Sequence, residues 1–179
     1  MPHGDLSEYI RTFTGNRYWP LDPRPEDVSI IDIAHHLSNL CRFTVATRFF
    51  YSVAQHSLYV SWLVPTLTAL LHDAPEAYLN DIARPVKHSD LYAPYRELEA
   101  KNWLAIAEHF QISAEMGPEI KVADDRVLLA EKRDLMGGVG EKWRLVMDVE
   151  PAPWDVVCML PKVAEQMFLQ RFQELGGKL

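Results

Sequence analysis

Cysteine is scarce. Cys41 and Cys158 are the only two in 179 residues, too few for a disulfide framework, and a reducing cytosol is the simpler setting. Positive charge is also in short supply: 18 Lys and Arg stand against 25 Asp and Glu, a formal charge of −7. A nucleic-acid duplex needs a basic footprint, so the balance excludes nucleic acid as partner. A small phosphorylated ligand, which needs only a few local cations, stays open. No apolar run approaches the ~20 residues that span a bilayer. The opening "MPHGDLSEYI" has no basic region followed by an apolar one, so neither a membrane span nor a signal peptide is expected and the chain reads as cytoplasmic. Convincing strand alternation, repeats and low-complexity segments are missing too.

The sequence is 48% hydrophobic, which suffices for one domain with a core. Residues 1–30 read as an irregular arm, because Gly15, Pro20, Pro23 and Pro25 forbid a long helix. Trp19 and Leu21 inside it are expected to fold back onto the domain. From Asp32 onward Ile33, Leu37, Leu40 and Cys41 recur at helical spacing. Val53, His56, Ser57, Val60, Leu63 and Val64 form the next apolar stripe, closed by Pro65. Thr66 to His72 reads as a short buried helix. Further helices are expected over 95–110, 118–136 and 161–175, the last two stopped by Gly137-Gly138 and Gly176-Gly177. The fold class is all-α, with 31–136 as core and 137–179 as a C-terminal loop and helix.

Within this pattern polar residues fall where apolar ones belong. His56 lies on its stripe. "LLHDAPEAYLND" (70–81) ends a greasy run in His72-Asp73 and adds Glu76 and Asp81. In "EIKVADDRVLLAEKRDL" the buried face is marked by Ile120, Ala123, Val127, Leu128 and Leu135. Asp124 falls on that face with Glu131 near it, whereas Asp125, rotated by about 100°, should face solvent. Each has a plain explanation: Asp73 and Glu76 have capping-box spacing, and a lone core histidine is usually just hydrogen-bonded. An unpartnered buried carboxylate costs several kcal/mol, however. One divalent ion explains His56, His72, Asp73 and Asp124 together. The adjacent pair 72 and 73 can converge only at a helix end. "GGVGEK" (137–142) is not a phosphate loop, because Trp143 follows its lysine and a helix precedes it. His35-His36 is not a second metal pair, since neighbours on a helix diverge; one should be packed and the other exposed.

In order, "DIAHHL", "CRF", "FYSVAQHS", "LLHDAPEAYLNDIARPVK" and "VADDRVLLAEKRDL" resemble the HD-domain metal-dependent phosphohydrolases. The likeness is greatest to the compact branch of bacterial 5′-deoxynucleotidases and phage dATP triphosphohydrolases. It spans about Thr14 to Met136 and implies a compact helical HD domain. It assigns His56, His72, Asp73 and Asp124 as ligands of one Zn, Mn, Co or Fe ion, with a further Mg or Mn arriving on the substrate. Glu76 and Asp81 match the acidic pair that handles the proton. Arg42 matches the phosphate-binding arginine and Phe43 the aromatic beside it. Lys87 is a further phosphate contact, and Trp19, Leu21 and Phe43 would form a slot for the base. Where many relatives continue with a glycine-rich turn, this chain reads "RFTVATRFFYS".

The implied activity is hydrolysis of a 2′-deoxynucleotide, foremost dATP to deoxyadenosine and triphosphate. The alternatives are a 5′-deoxynucleotidase acting on monophosphates and a regulatory module that binds metal and nucleotide without turnover. A homo-oligomer is expected, with Tyr59 or Trp62 at the interface.

Overall fold

Hydroxyl side chains set where the early helices begin. In the computed structural model, which describes residues 8–137 and 149–179, Ser29, Ser52 and Thr66 each accept a hydrogen bond from the backbone N–H three residues on. That bond satisfies one of the free donors at a helix start. The helices that follow are α1 (Ile30–Asn39), α2 (Val53–Leu63) and the single turn α3 (Leu67–Leu70). Two more single turns, α4 (Glu76–Leu79) and α5 (Arg84–Lys87), precede the long α6 (Ala93–Phe110) and α7 (Pro118–Leu135) and the final α8 (Pro161–Glu174). The helix predictions over 95–110, 118–136 and 161–175 match α6, α7 and α8 to within two residues. Gly176 takes φ +94, outside the range comfortable for other residues, as the chain leaves α8.

α2 departs from the expected one-sided stripe. Its residues Val53 to Ser61 are all buried, which makes it the central helix, enclosed all round. Val53, Ala54 and Leu58 join a cluster with Ile33, Leu37, Ile106, Phe168 and Phe172. Tyr59 and Val60 join a second with Tyr51, Ile120, Ala123 and Val127. α1 and α8 pack on one side of α2 and α7 on the other. His56 thus stands at the seam between two apolar clusters.

The arm is less irregular than its prolines suggest. Ile10–Arg11 (β1) and Arg17–Tyr18 (β2) pair antiparallel around Gly15 at φ +86. The hairpin is pinned by Thr14, whose N–H and hydroxyl donate to the buried Asp32 carboxylate at 2.7 and 2.8 Å. His35 and His36 serve the same junction, so neither is free to be an exposed partner. His35 stacks on Phe13 at 3.6 Å and meets Glu165 at 3.0 Å. His36 accepts from the Phe13 N–H, and its other ring nitrogen lies 2.8 Å from the Ala77 carbonyl.

Of the two aromatics expected at an interface, one is enclosed and the other, Trp62, is 42% exposed. Tyr59 is buried, and Trp62 packs edge-on against Tyr59 and Trp154 at 4.8 and 5.9 Å. Cys41 lies past the end of α1 and bridges to Ser52; both cysteines are free thiols. No helix among the described residues is long and apolar enough to cross a membrane. "GGVGEK" lies almost wholly outside the described residues.

Candidate metal centre

α3 ends at Leu70, and the chain turns through 71–75 before α4 begins. That turn lets His72 and Asp73 face one point despite being adjacent. The capping explanation for Asp73 fails, because α4 takes Pro75 as its N-cap and no side chain caps it. Asp73 Oδ2 instead lies 3.3 Å from His72 Nε2, 3.6 Å from His56 Nε2 and 3.4 Å from an Arg42 nitrogen. His56, His72 and Asp73 offer ligand atoms within 4.8 Å of one another, a group able to hold a metal ion. Asp124, on α7, adjoins it: Oδ1 is 3.3 Å from His56 Nε2, while Oδ2 turns to Lys121 and Arg84 at 3.4 Å each.

Both histidines have one nitrogen engaged and one without a partner. His72 Nδ1 is 2.8 Å from the Ala69 carbonyl, and His56 Nδ1 is 2.6 Å from Glu131 Oε1. A carbonyl only accepts, so His72 must donate through Nδ1. The two Nε2 atoms are buried without a hydrogen-bond partner and face the Asp73 carboxylate. Two imidazole nitrogens and a carboxylate at such range could hold a cation between them, and this donor set suits a divalent transition ion. In the metal-free chain a proton takes that place. Burial and the Arg42 charge push the His56 pKa down, but the Glu131 charge, the hydrogen bond to Glu131 and the Asp124 carboxylate 3.3 Å from Nε2 outweigh them and raise it to about 9. Asp73 and Asp124 are held well below the usual carboxylate range; burial opposes this, and the nearby histidines prevail.

Glu76 and Asp81 behave oppositely. Burial, then the Asp73 and Asp81 charges, push the Glu76 carboxyl well up, with Lys87 and Arg42 only partly offsetting. Its Oε2 is buried without a partner. Asp81 is also raised, chiefly by burial. It follows Asn80, whose φ 68 and ψ 159 lie in a region that costs a non-glycine residue on the order of 1–3 kcal/mol. Glu76 and Asp81 are thus shifted in the same direction, opposite to Asp73 and Asp124.

Arg42 is buried and clamped between Asp73 and Glu131, 3.5 Å from the latter. It therefore braces the ligands themselves, a role its resemblance to a phosphate-binding residue did not suggest. Its guanidinium sits 5.2 Å from the Phe43 ring. Phe43, Thr44 and Val45 then take φ 56, 50 and 66 in succession. This is the left-handed region that a glycine-rich turn would occupy without strain, and Val45 is a genuine outlier there.

A cavity of about 390 Å³ opens beside His72, Asp73 and Asp124. Lys87, Arg96 and Lys121 line it together with Asp73, Glu99 and Asp124, and Trp103, Met116 and Ile120 supply apolar wall. Trp19, Leu21 and Phe43, the expected slot, are not part of that lining, and neither are Arg42, Glu76 and Asp81. Leu21 is 61% exposed, and the adjoining Pro20 carbonyl is tied to Asn102 on α6. The expectation that Asp125 faces solvent is wrong as well. It is buried, because Arg84 from α5 and Lys121 close over it.

No protein-family model matches the chain. It is 38% identical over 125 residues, 63% of each chain, to the uncharacterized protein RCAP_rcc00048 of Rhodobacter capsulatus. It is 37% identical over 172 residues to the uncharacterized protein YfdR of Escherichia coli (strain K12), covering 94% of this chain and 96% of that one. With a match running through nearly the whole of both sequences, the chain belongs to the family of YfdR.

Proposed function

We propose that this protein is a metal-dependent phosphohydrolase of the HD type acting on 2′-deoxynucleotides. The observation that carries the reading is the convergence of two unpartnered imidazole nitrogens on Asp73, next to a buried glutamate with a raised pKa. His56, His72, Asp73 and Asp124 would hold the ion. A divalent ion there supplies Lewis acidity toward a phosphoryl oxygen and a more acidic water.

The chain's own residues supply the rest. Glu76 and Asp81, with pKa values raised, suit proton transfer near neutral pH. Lys87 reaches Glu76 at 3.7 Å and lines the cavity, where it can meet phosphate oxygens along with Lys121. The apolar wall of Trp103, Met116 and Ile120 takes over the role first given to Trp19 and Leu21, seating the organic part of the substrate. A purely regulatory module has little use for Glu76, an extra acid beside an anionic ligand.

Two substrates fit the chemistry, since both are cut at the 5′ oxygen. The sequence resemblance favours dATP, released as deoxyadenosine and triphosphate. One observation favours a 5′-monophosphate. The cavity lining carries three cations against three carboxylates, so one divalent ion suits a phosphomonoester of about −2, whereas a triphosphate would need the further Mg or Mn ion it brings. The purified protein, given Mn²⁺, Co²⁺ or Zn²⁺ and offered the four dNTPs and four dNMPs in parallel, distinguishes them by chromatography of the products. Triphosphate released from dATP supports the first form, phosphate released only from monophosphates the second. Bound metal without turnover of any nucleotide would defeat the enzymatic reading.

A further inference from the structure

Glu131 on α7 is a fully buried carboxylate with no place among the candidate ligands or the proton-handling pair. It lies seven residues after Asp124, about two helical turns, and so on nearly the same face. Its Oε1 accepts from the Tyr51 hydroxyl at 2.7 Å and meets His56 Nδ1 at 2.6 Å. Oε2 faces an Arg42 guanidinium nitrogen at 3.5 Å. His56 and Tyr51 are fully buried too, and Glu131 Oε1 is the acceptor that both share.

We infer that Glu131 is the positioning residue of the metal centre, fixing His56 as the Nδ1–H tautomer with Nε2 directed at the ion. The inference rests on the metal reading above. An ionised carboxylate has only acceptors. With the Tyr51 hydroxyl and the guanidinium beside it, Glu131 is ionised and His56 Nδ1 must donate. The lone pair then sits on Nε2, the atom facing Asp73 and Asp124. The two histidines are treated differently: His72 donates to a neutral carbonyl, His56 to a full negative charge. A carboxylate behind an imidazole makes it the more basic ligand and holds the ring plane. Through Arg42, which also reaches Asp73, the same carboxylate steadies a second ligand.

The test compares the full-length chain with E131Q, each stripped of metal, in Zn²⁺ binding by competition with a chromogenic chelator. Thermal melts of the metal-free proteins report whether each is folded. Glutamine keeps the shape and one acceptor but loses the charge. The expected result is a folded E131Q whose Zn²⁺ affinity falls about 10- to 100-fold, the usual effect of losing such a partner. A folded E131Q that binds within twofold of wild type overturns the inference while leaving the metal reading intact. Wild type that takes up no stoichiometric metal overturns the metal reading itself, and this inference with it. If E131Q does not fold, ¹⁵N spectra of the Zn²⁺-loaded wild type decide. A strongly deshielded proton on His56 Nδ1 with Nε2 coordinated is expected; coordination through Nδ1 refutes the inference.

Discussion

His56 should make the metal-free protein less stable as pH rises, and the structure gives the size of the effect. Its pKa is raised from 6.5 to about 9 in the folded chain because Glu131 and Asp124 flank the ring, despite burial and Arg42. Between those values the folded state holds a proton that the unfolded state has released. Stability from this group is therefore complete below pH 6.5 and is lost as pH climbs through 9. At about 1.36 kcal/mol per unit of pKa difference the loss is about 3 kcal/mol. For a chain of this size that corresponds to a fall in Tm of roughly 6–12 °C. The assay is a series of thermal melts in chelator from pH 6 to 9.5, run beside His56→Gln. Other groups, Glu76 among them, also respond to pH, so the decisive quantity is the difference between the two slopes. If wild type and H56Q decline in parallel, the proton is not held between Glu131 and Asp124 and the account of this site is wrong. The same proton must leave when a divalent ion binds, so apparent metal affinity should climb with pH across this window.

Three further outcomes follow from the geometry. Asp124→Ala should lose metal binding and activity, whereas Asp125→Ala should keep metal within a few-fold; it unties Lys121 and Arg84 from a partly exposed cluster, costing about 1 kcal/mol or less in urea unfolding. Arg42→Ala should destabilise the chain by about 3–5 kcal/mol, because Glu131 and Asp73 lose the charge buried with them, and should weaken Zn²⁺ binding as well; unchanged metal affinity would mean that Arg42 serves the substrate alone. Glu76→Gln imitates the protonated carboxyl that burial favours, so at pH 8 its Tm should equal or exceed that of wild type with metal content unchanged and turnover abolished; retained turnover would assign the proton to Asp81.

Much of the fold was legible because solvent exclusion writes itself into spacing. α6, α7 and α8 each carry a proline in their first two positions and α8 stops at glycine, whereas α6 ends at Gln111 in a left-handed conformation with no glycine to announce it. The group that could hold a metal ion stood out in the sequence for the opposite reason. His56, His72 and Asp73 sit where burial should reject them, and such violations are expected at functional sites. α2 misled in a particular way: one-sided periodicity describes a helix on a surface, and a helix enclosed all round has no side to display.

What stayed illegible depends on partners far along the chain. Asp125 was read as facing solvent and Asp124 as buried, yet Asp125 is the more buried of the two, because Arg84 and Lys121 fold over it. Glu131 was visible as an acid near a buried face, yet its meaning lies in Tyr51 and His56, 80 and 75 residues away. Trp19 and Leu21 looked like a slot because they are apolar in a polar arm; Asn102, 82 residues from Pro20, fixes where that arm runs. The common cause is geometric. A ligand is recognisable from its own surroundings, because a buried charge is costly wherever it sits. A bracing carboxylate or a pocket wall is defined only by what it touches. In this chain those contacts join the first turn of α2, the turn before α4 and the far half of α7. Glu131, an acid given no role by its spacing alone, is thus the carboxylate that joins α7 to His56, Tyr51 and Arg42.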